Sequence, residues 1–232
     1  MNVRKIVITG AVAVGKSSII KAVISKLQEQ HMKIIHVPEY IDYKEDGLKM
    51  LNHYFSHRIT PYEFQEYILK FYDDYFKSLI LDGDEIMIFE RMVDDGITCF
   101  SNLDNKRGAL SDKEFSDLYE GAKAIDTKYN IPSYFINEGF TFIPIKTVDS
   151  AKDGDMIAHI ILNRDDNIII GLYNEPERCY QRMLSRNREG ESKAYTETYI
   201  KNMSNHYKKL YKVLMSEEPL RFTSVGKLFD NI

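Results

Sequence analysis

Residues 10–17 read Gly10-Ala11-Val12-Ala13-Val14-Gly15-Lys16-Ser17, a GxxxxGK[ST] pattern between two different kinds of apolar segment. Upstream, Ile6, Val7 and Ile8 form an unbroken run, the signature of a short buried strand. Downstream, Ile19, Ile20, Val23, Ile24 and Leu27 recur at steps of one, three and four, which makes one face of a helix. Strand, glycine loop and helix together predict a phosphate cradle. Gly10 and Gly15 let the backbone turn tightly, the amides of Ala11, Val12, Ala13 and Val14 point inward, and the helix N-terminus adds positive potential. Lys16 is expected to reach the β and γ phosphates and Ser17 to place its hydroxyl on Mg²⁺, with Ser18 completing the nucleotide-binding stretch. The motif predicts nucleotide binding without separating a kinase from a GTPase or another ATPase. A GTPase switch would need a base-reading NKxD; Asn105-Lys106 is followed here by Arg107-Gly108.

The rest of the chain reads as strands alternating with helices. Apolar runs at 34–37, 85–89 and 168–172 predict further strands, and 220–225 is a candidate for a last one. Helical spacing predicts one or two helices within 46–80, a helix over 111–129 opened by Ser111 with Glu114 three residues on, one starting near Pro176, and one over 195–214. Residues 134–163 read as an inserted β-hairpin turning at Lys152-Asp153-Gly154-Asp155. The expected fold is α/β, a parallel sheet of about five strands flanked by helices, in a single domain spanning residues 1–232. With 31 Lys+Arg against 35 Asp+Glu, the balance argues against a nucleic-acid partner. The N-terminus carries no signal-peptide pattern, no apolar run reaches membrane-span length, and Cys99 and Cys179 lack metal or disulfide spacing, so a cytoplasmic location with no membrane partner is expected.

In an open parallel sheet, ligands sit at the carboxyl ends of the strands. Pro38-Glu39 follows one predicted strand and Glu90-Arg91 ends another. Facing a phosphate cradle, Glu39 is placed to act as general base for an acceptor hydroxyl. Glu90 would help hold Mg²⁺, and Arg91 would sit near the reacting oxygen. Arg178, Arg182 and Arg186 recur every four residues on one helix face and lead into Arg188 in a polar loop. Such a stripe is ordinarily a solvated face. Concentrated in an acidic chain and running into a loop, it also suits a lid over 182–192 whose guanidinium forks meet the oxygens of a moving phosphoryl.

Taken together, these features resemble the cellular and viral deoxynucleoside kinases of the P-loop type, the deoxycytidine, deoxyguanosine and thymidine kinases. Val37-Pro38-Glu39 resembles their acidic motif, Tyr54 and Gln65 their sugar and base contacts, and Phe89-Glu90-Arg91 their (D/E)R(S/H) motif, with Met92 in place of the usual third residue. Residues 176–191 are similar to their PExCxxRxxxRxRxxE lid, and the likeness runs from about residue 3 to 211. It is that of a divergent or viral member. The resemblance implies that Glu39 deprotonates a 5′-hydroxyl steadied by Arg91. It implies that Gln65 pairs with the nucleobase, that Tyr54 and Glu191 hold the 3′-hydroxyl, and that Arg182, Arg186 and Arg188 close on the phosphates. Phe100, Phe64 and Tyr43 are candidates to stack on the base, and equally to pack in the core. ATP as donor, Mg²⁺ as cofactor, a deoxynucleoside as acceptor and a homodimer are implied with it. Two other readings stay open: a nucleoside monophosphate kinase of the thymidylate kinase type, which needs an added basic clamp such as Arg58, and a non-catalytic ATP-binding regulator.

Overall fold

Strand β1 (Arg4–Gly10) is buried everywhere except at its first residue, as a strand covered on both faces must be. In the computed structural model, which describes residues 3–43, 45–133, 141–142, 157–164, 167–188, 191 and 195–215, it lies inside a sheet. Its companions are β2 (Lys33–Val37), β3 (Glu85–Glu90), β4 (Thr141–Phe142), β5 (Ile157–Arg164) and β6 (Asn167–Tyr173), in the order β2-β3-β1-β6-β5-β4. Among the described residues β2, β3, β1 and β6 run parallel, while β5 and β4 are antiparallel additions at the β6 edge. The expected hairpin is therefore an extension of the central sheet and not a separate decoration. The described part of the sheet has four parallel strands where about five were expected; the candidate strand at 220–225 and the turn at 152–155 lie outside the described residues.

The pleat sorts alternate side chains to two hydrophobic layers. Val7, Met87 and Phe89 face one layer, with Phe71, Phe76, Met203 and Tyr207. Ile6, Ile8, Ile86 and Ile88 face the other, with Ile20, Cys179 and Met183. Burial of each such large side chain stabilises the fold by about 1.5–3 kcal/mol. The register then fixes the functional edge. Val37 pairs with Phe89 across β2 and β3, so Glu39 and Arg91, each two residues further on, emerge side by side.

The helices α1 (Lys16–Glu29), α2 (Tyr40–Tyr43), α3 (Glu45–Phe55) and α4 (Pro61–Ser78) precede β3 or fall between the first three strands. The 46–80 region is thus two helices. The second opens with a reciprocal cap: Glu63 N donates to Thr60 Oγ1 at 3.1 Å and Thr60 N donates to Glu63 Oε2 at 2.7 Å, with Pro61 at the first turn. After β3 the chain forms α5 (Val93–Asp95), a π-helical stretch (Gly96–Ser101), α6 (Asn102–Lys106) and α7 (Asp112–Tyr129), the last capped by Ser111 and Glu114 as its sequence predicts. α8 (Pro176–Arg186) and α9 (Glu197–Met215) complete the described fold. Among the described residues no helix is long and apolar enough to cross a membrane.

Where α5 meets α7, two carboxyl groups are buried together. Asp94 and Asp126 are almost fully enclosed, and Ser133 Oγ donates to Asp94 Oδ2 at 2.8 Å. Burial, and then the Asp94 carboxyl beside it, push the Asp126 carboxyl well above the usual carboxylate range. A carboxyl raised in the folded state keeps a proton that the unfolded chain releases, so this pair lowers stability as pH rises above the ordinary carboxylate value. Asp126→Asn removes the titration and keeps a donor for Asp94. We expect its melting temperature to exceed the parent's by a few degrees at pH 8, about 1 kcal/mol being worth ~2–4 °C at this size. The gap should close toward pH 4.5; a difference independent of pH in calorimetry would show that the pair does not titrate.

Candidate active site

The loop from Gly10 to Ser17 leaves β1 and enters α1 through two left-handed or extended glycines. Gly10 has φ 144° and Gly15 φ 112°. At Gly10 a Cβ would lie 2.6 Å from the Leu172 carbonyl oxygen of β6, so the neighbouring strand itself demands glycine there. Ala13, also at positive φ, completes the turn, and Ser18 N donates to the Gly15 carbonyl at 3.1 Å as α1 begins. Lys16 Nζ donates to the Gly10 and Ala11 carbonyls at 3.4 and 3.2 Å and lies 3.9 Å from Glu90. Burial, followed by the Arg91 charge, lowers the Lys16 ammonium to about 8, against the pull of Glu39, Glu90 and Asp95.

Glu90 ends β3 beneath this loop and accepts from Ser17 Oγ, with both carboxylate oxygens at 3.1 Å. Burial and the nearby Glu39 raise its carboxyl above the ordinary value, in opposition to Lys16, Arg91 and Ser17. Arg91 follows with φ 72°, a left-handed conformation costing a non-glycine residue about 1–2 kcal/mol. Its own N–H, donated to the Ile8 carbonyl at 3.0 Å, holds the turn. The side chain is thereby aimed across the strand ends, where Arg91 Nη1 donates to Glu39 Oε1 at 2.5 Å, and the guanidinium lies 5.2 Å from the Phe100 ring centroid. Arg91 Nε is buried and has no hydrogen-bond partner in the described protein. Burial works to raise the Glu39 carboxyl, but Arg91, Lys16, Arg188 and Arg186 outweigh it and hold the group below its ordinary value.

Beside this pair opens a cleft whose empty space, open mouth included, is about 590 Å³. Glu39, Arg91, Tyr54, Gln65 and Phe100 all line it. Gln65 comes from the buried face of α4 and is 3 % exposed. Tyr54 stacks on Phe64, with centroids 4.6 Å apart and planes 8° apart, and donates its hydroxyl to Asp104 Oδ2 at 3.1 Å. Tyr43 is on the periphery, half-exposed and packed on Phe71 and Tyr75.

The arginine stripe divides its work. Arg182 Nη1 donates to the Val14 carbonyl of the phosphate loop at 3.3 Å. Arg186 Nη2 donates to both Glu191 oxygens at 2.7 and 2.8 Å, and Arg188 reaches Asp42 at 3.4 Å and Glu191 at 3.7 Å. Arg178 is exposed. Glu191 is thus engaged by two arginines, and Tyr54 lines the cleft. Tyr195 and Tyr199, stacked at 5.0 Å, line it too.

Several site residues escaped the sequence reading. Asp95 is fully buried, accepts from Thr9 Oγ1 at 2.7 and 2.8 Å and from Met92 N at 2.8 Å, and so ties the floor of the cleft to β1. Tyr40, Tyr72 and Gly96 also line the cleft. Tyr40, next to Glu39, had a positional signal; Asp95 and Tyr72 could be found only through contacts across the fold.

As for metal, no group of three or more His, Cys, Asp or Glu side chains is arranged to hold an ion among the described residues. The Ser17 hydroxyl and the Glu90 carboxylate do offer the hard oxygen donors that Mg²⁺ takes alongside phosphate oxygens.

No protein-family model and no curated protein sequence matches the chain. Among solved structures it is similar to one described as deoxyadenosine kinase from M. mycoides with bound dATP, with a TM-score of 0.54 and 18 % identity over 90 % of this chain and 84 % of that one. At that identity the likeness speaks for the fold, an α/β architecture with helices flanking a parallel sheet.

The lowered Lys16 makes a pH prediction. Its charge is largely kept at pH 7, half lost near pH 8 and mostly gone a unit above. Affinity for inorganic pyrophosphate, measured by calorimetry and corrected for the titration of pyrophosphate itself, should change little between pH 6.5 and 7 and fall toward tenfold per pH unit above 8. A flat profile to pH 9.5 would show Lys16 still charged.

Proposed function

We propose that this protein transfers the terminal phosphoryl group of ATP to the 5′-hydroxyl of a deoxynucleoside, giving the deoxynucleoside monophosphate. The observation that carries the reading is the Glu39–Arg91 pair, set between a phosphate loop and a cleft that Gln65, Tyr54 and Phe100 also line. A carboxylate held below its ordinary value is charged throughout the neutral range, so it is ready to accept a proton. The Arg91 guanidinium, which lines the cleft, would offer a donor to the acceptor oxygen. As that oxygen bonds to the γ phosphorus, the bond to the bridging oxygen breaks, ADP leaves, and the hydroxyl proton passes to Glu39. Glu39 is a weak base, which suits a loose transition state in which the hydroxyl becomes acidic late. Lys16 and Arg182 would meet the charge on the phosphates. Ser17 and Glu90 would hold Mg²⁺, which supplies charge neutralisation on the β and γ oxygens. Gln65 would pair with the base and Phe100 pack against it.

The cleft disfavours a monophosphate acceptor. Arg91 is the one cation in its lining among the described residues, and it is already paired; Arg58 is exposed and lies outside the lining. A dianion there would have to share Arg91 with Glu39.

The test is a panel of the four deoxynucleosides and their monophosphates with Mg·ATP. At least one deoxynucleoside should be phosphorylated and no monophosphate turned over faster. Glu39→Gln should lower kcat by about 10²–10⁴ while ATP affinity stays within a few-fold. Preference for a monophosphate, or full turnover by Glu39→Gln, would overturn the reading.

A further inference from the structure

Gly96 begins the π-helical stretch behind the cleft, at φ −58° and ψ −39°. That is an ordinary right-handed helical conformation, open to any residue and better served by alanine than by glycine. The backbone therefore gives no reason for glycine here. The surroundings do: a Cβ built at 96 would stand 2.9 Å from Gln65 Oε1 and 4.0 Å from Gln65 Cδ, and the Gln65 side chain is the sole neighbour it would meet within 4 Å. The end of a glutamine side chain swings away cheaply, so the fold would accept alanine and the amide would move.

The amide is what the cleft has to offer a base edge. The cleft that it lines also holds Ile68, Tyr72, Met92, Val93 and Phe100, with the charged Glu39 and Arg91 paired to each other. Asp95, the carboxylate nearby, is committed to Thr9 and to the Met92 amide. A primary amide carries an acceptor and a donor side by side and reads any base edge that presents the complement. Its position decides whether both bonds form.

We propose that Gly96 is a specificity-determining position of this site, acting on the nucleobase through Gln65. This rests on the deoxynucleoside reading above. The missing side chain lets the Gln65 carbonyl oxygen stand at the cleft wall, and any substituent at 96 displaces the reader from the base without touching the phosphate loop. Gly96 is a positioning residue, remote from Glu39 and the reacting oxygen in role.

The experiment is a double-mutant cycle of Gly96→Ala and Gln65→Asn, read as KM and kcat for each of thymidine, deoxycytidine, deoxyadenosine and deoxyguanosine with Mg·ATP, together with melting temperature. Gly96→Ala should raise KM for the nucleosides used by the parent about tenfold, the scale of one lost buried hydrogen bond. The kcat at saturation, the KM for ATP and the melting temperature should hold or, for the last, rise. In the Gln65→Asn background, where the shorter amide no longer reaches position 96, the alanine should change KM less than twofold. An active parent whose nucleoside KM is unmoved by Gly96→Ala overturns this inference alone. So does an equal cost of the alanine with and without Gln65, which would mean direct obstruction of the cleft. A parent that phosphorylates none of the four nucleosides overturns the deoxynucleoside reading and this inference with it.

Discussion

A guanidinium withdrawn from water needs a carboxylate, and Arg91 finds its partner in Glu39, 52 residues earlier. The pair is nearly enclosed, with side chains 14 % and 12 % exposed. Buried ion pairs of this kind give little net stability, because desolvation offsets most of the Coulombic gain. The fold nonetheless holds the pair at a cost: Arg91 adopts a left-handed backbone, and its Nε is left without a protein partner. Features that are unfavourable for folding and confined to one strand end mark a place shaped by something other than stability.

What was legible in the sequence was what strands and short motifs impose locally. The phosphate loop could be read because its glycines, lysine and serine are contiguous, and because strand and helix patterns flank them. Glu39 and the Glu90-Arg91 step could be read because each ends an apolar run, and parallel strands put such ends on one edge. Their direct contact follows from the Val37–Phe89 register, which no single strand declares. Ser111 and Glu114 announced their helix through a local hydrogen-bond exchange.

Contacts between distant elements were not legible. Asp95 reads as one more acid in a polar stretch, yet it anchors the cleft floor to Thr9, 86 residues away. The likeness to known kinases implied a shared task for Tyr54 and Glu191. Here Tyr54 gives its hydroxyl to Asp104, while Glu191 is held by Arg186 and Arg188. Sequence spacing alone does not reveal these partners within the protein. The 134–163 region reads as an inserted hairpin because it departs from the pattern of the kinases that the chain resembles. Its strand β5 nevertheless finds the open edge of β6, since an unpaired edge is covered where a segment is at hand.

The two carboxylates under the phosphate loop show how one strand edge supports two roles. Glu39 lies among Arg91, Lys16, Arg188 and Arg186, and together they overcome the effect of burial. Glu90 has the same chemistry, but burial and the charge on Glu39 prevail, and it is raised. Because the groups interact, neither could be tuned alone: each proton gained by Glu90 lightens the repulsion on Glu39, and the arginine between them biases the outcome toward a charged Glu39. Moving environments apart is how like groups acquire different tasks. The residue set beside the cleft stays a charged carboxylate paired with Arg91, and the one beneath the loop keeps its oxygens on Ser17. Lys16 is close enough to feel both, so a polyphosphate drawing on its charge would alter the balance between them. Occupancy of the phosphate loop and the charge on Glu39 would then be linked through Lys16, at the start of α1, and two carboxylates at the ends of the adjacent strands β2 and β3.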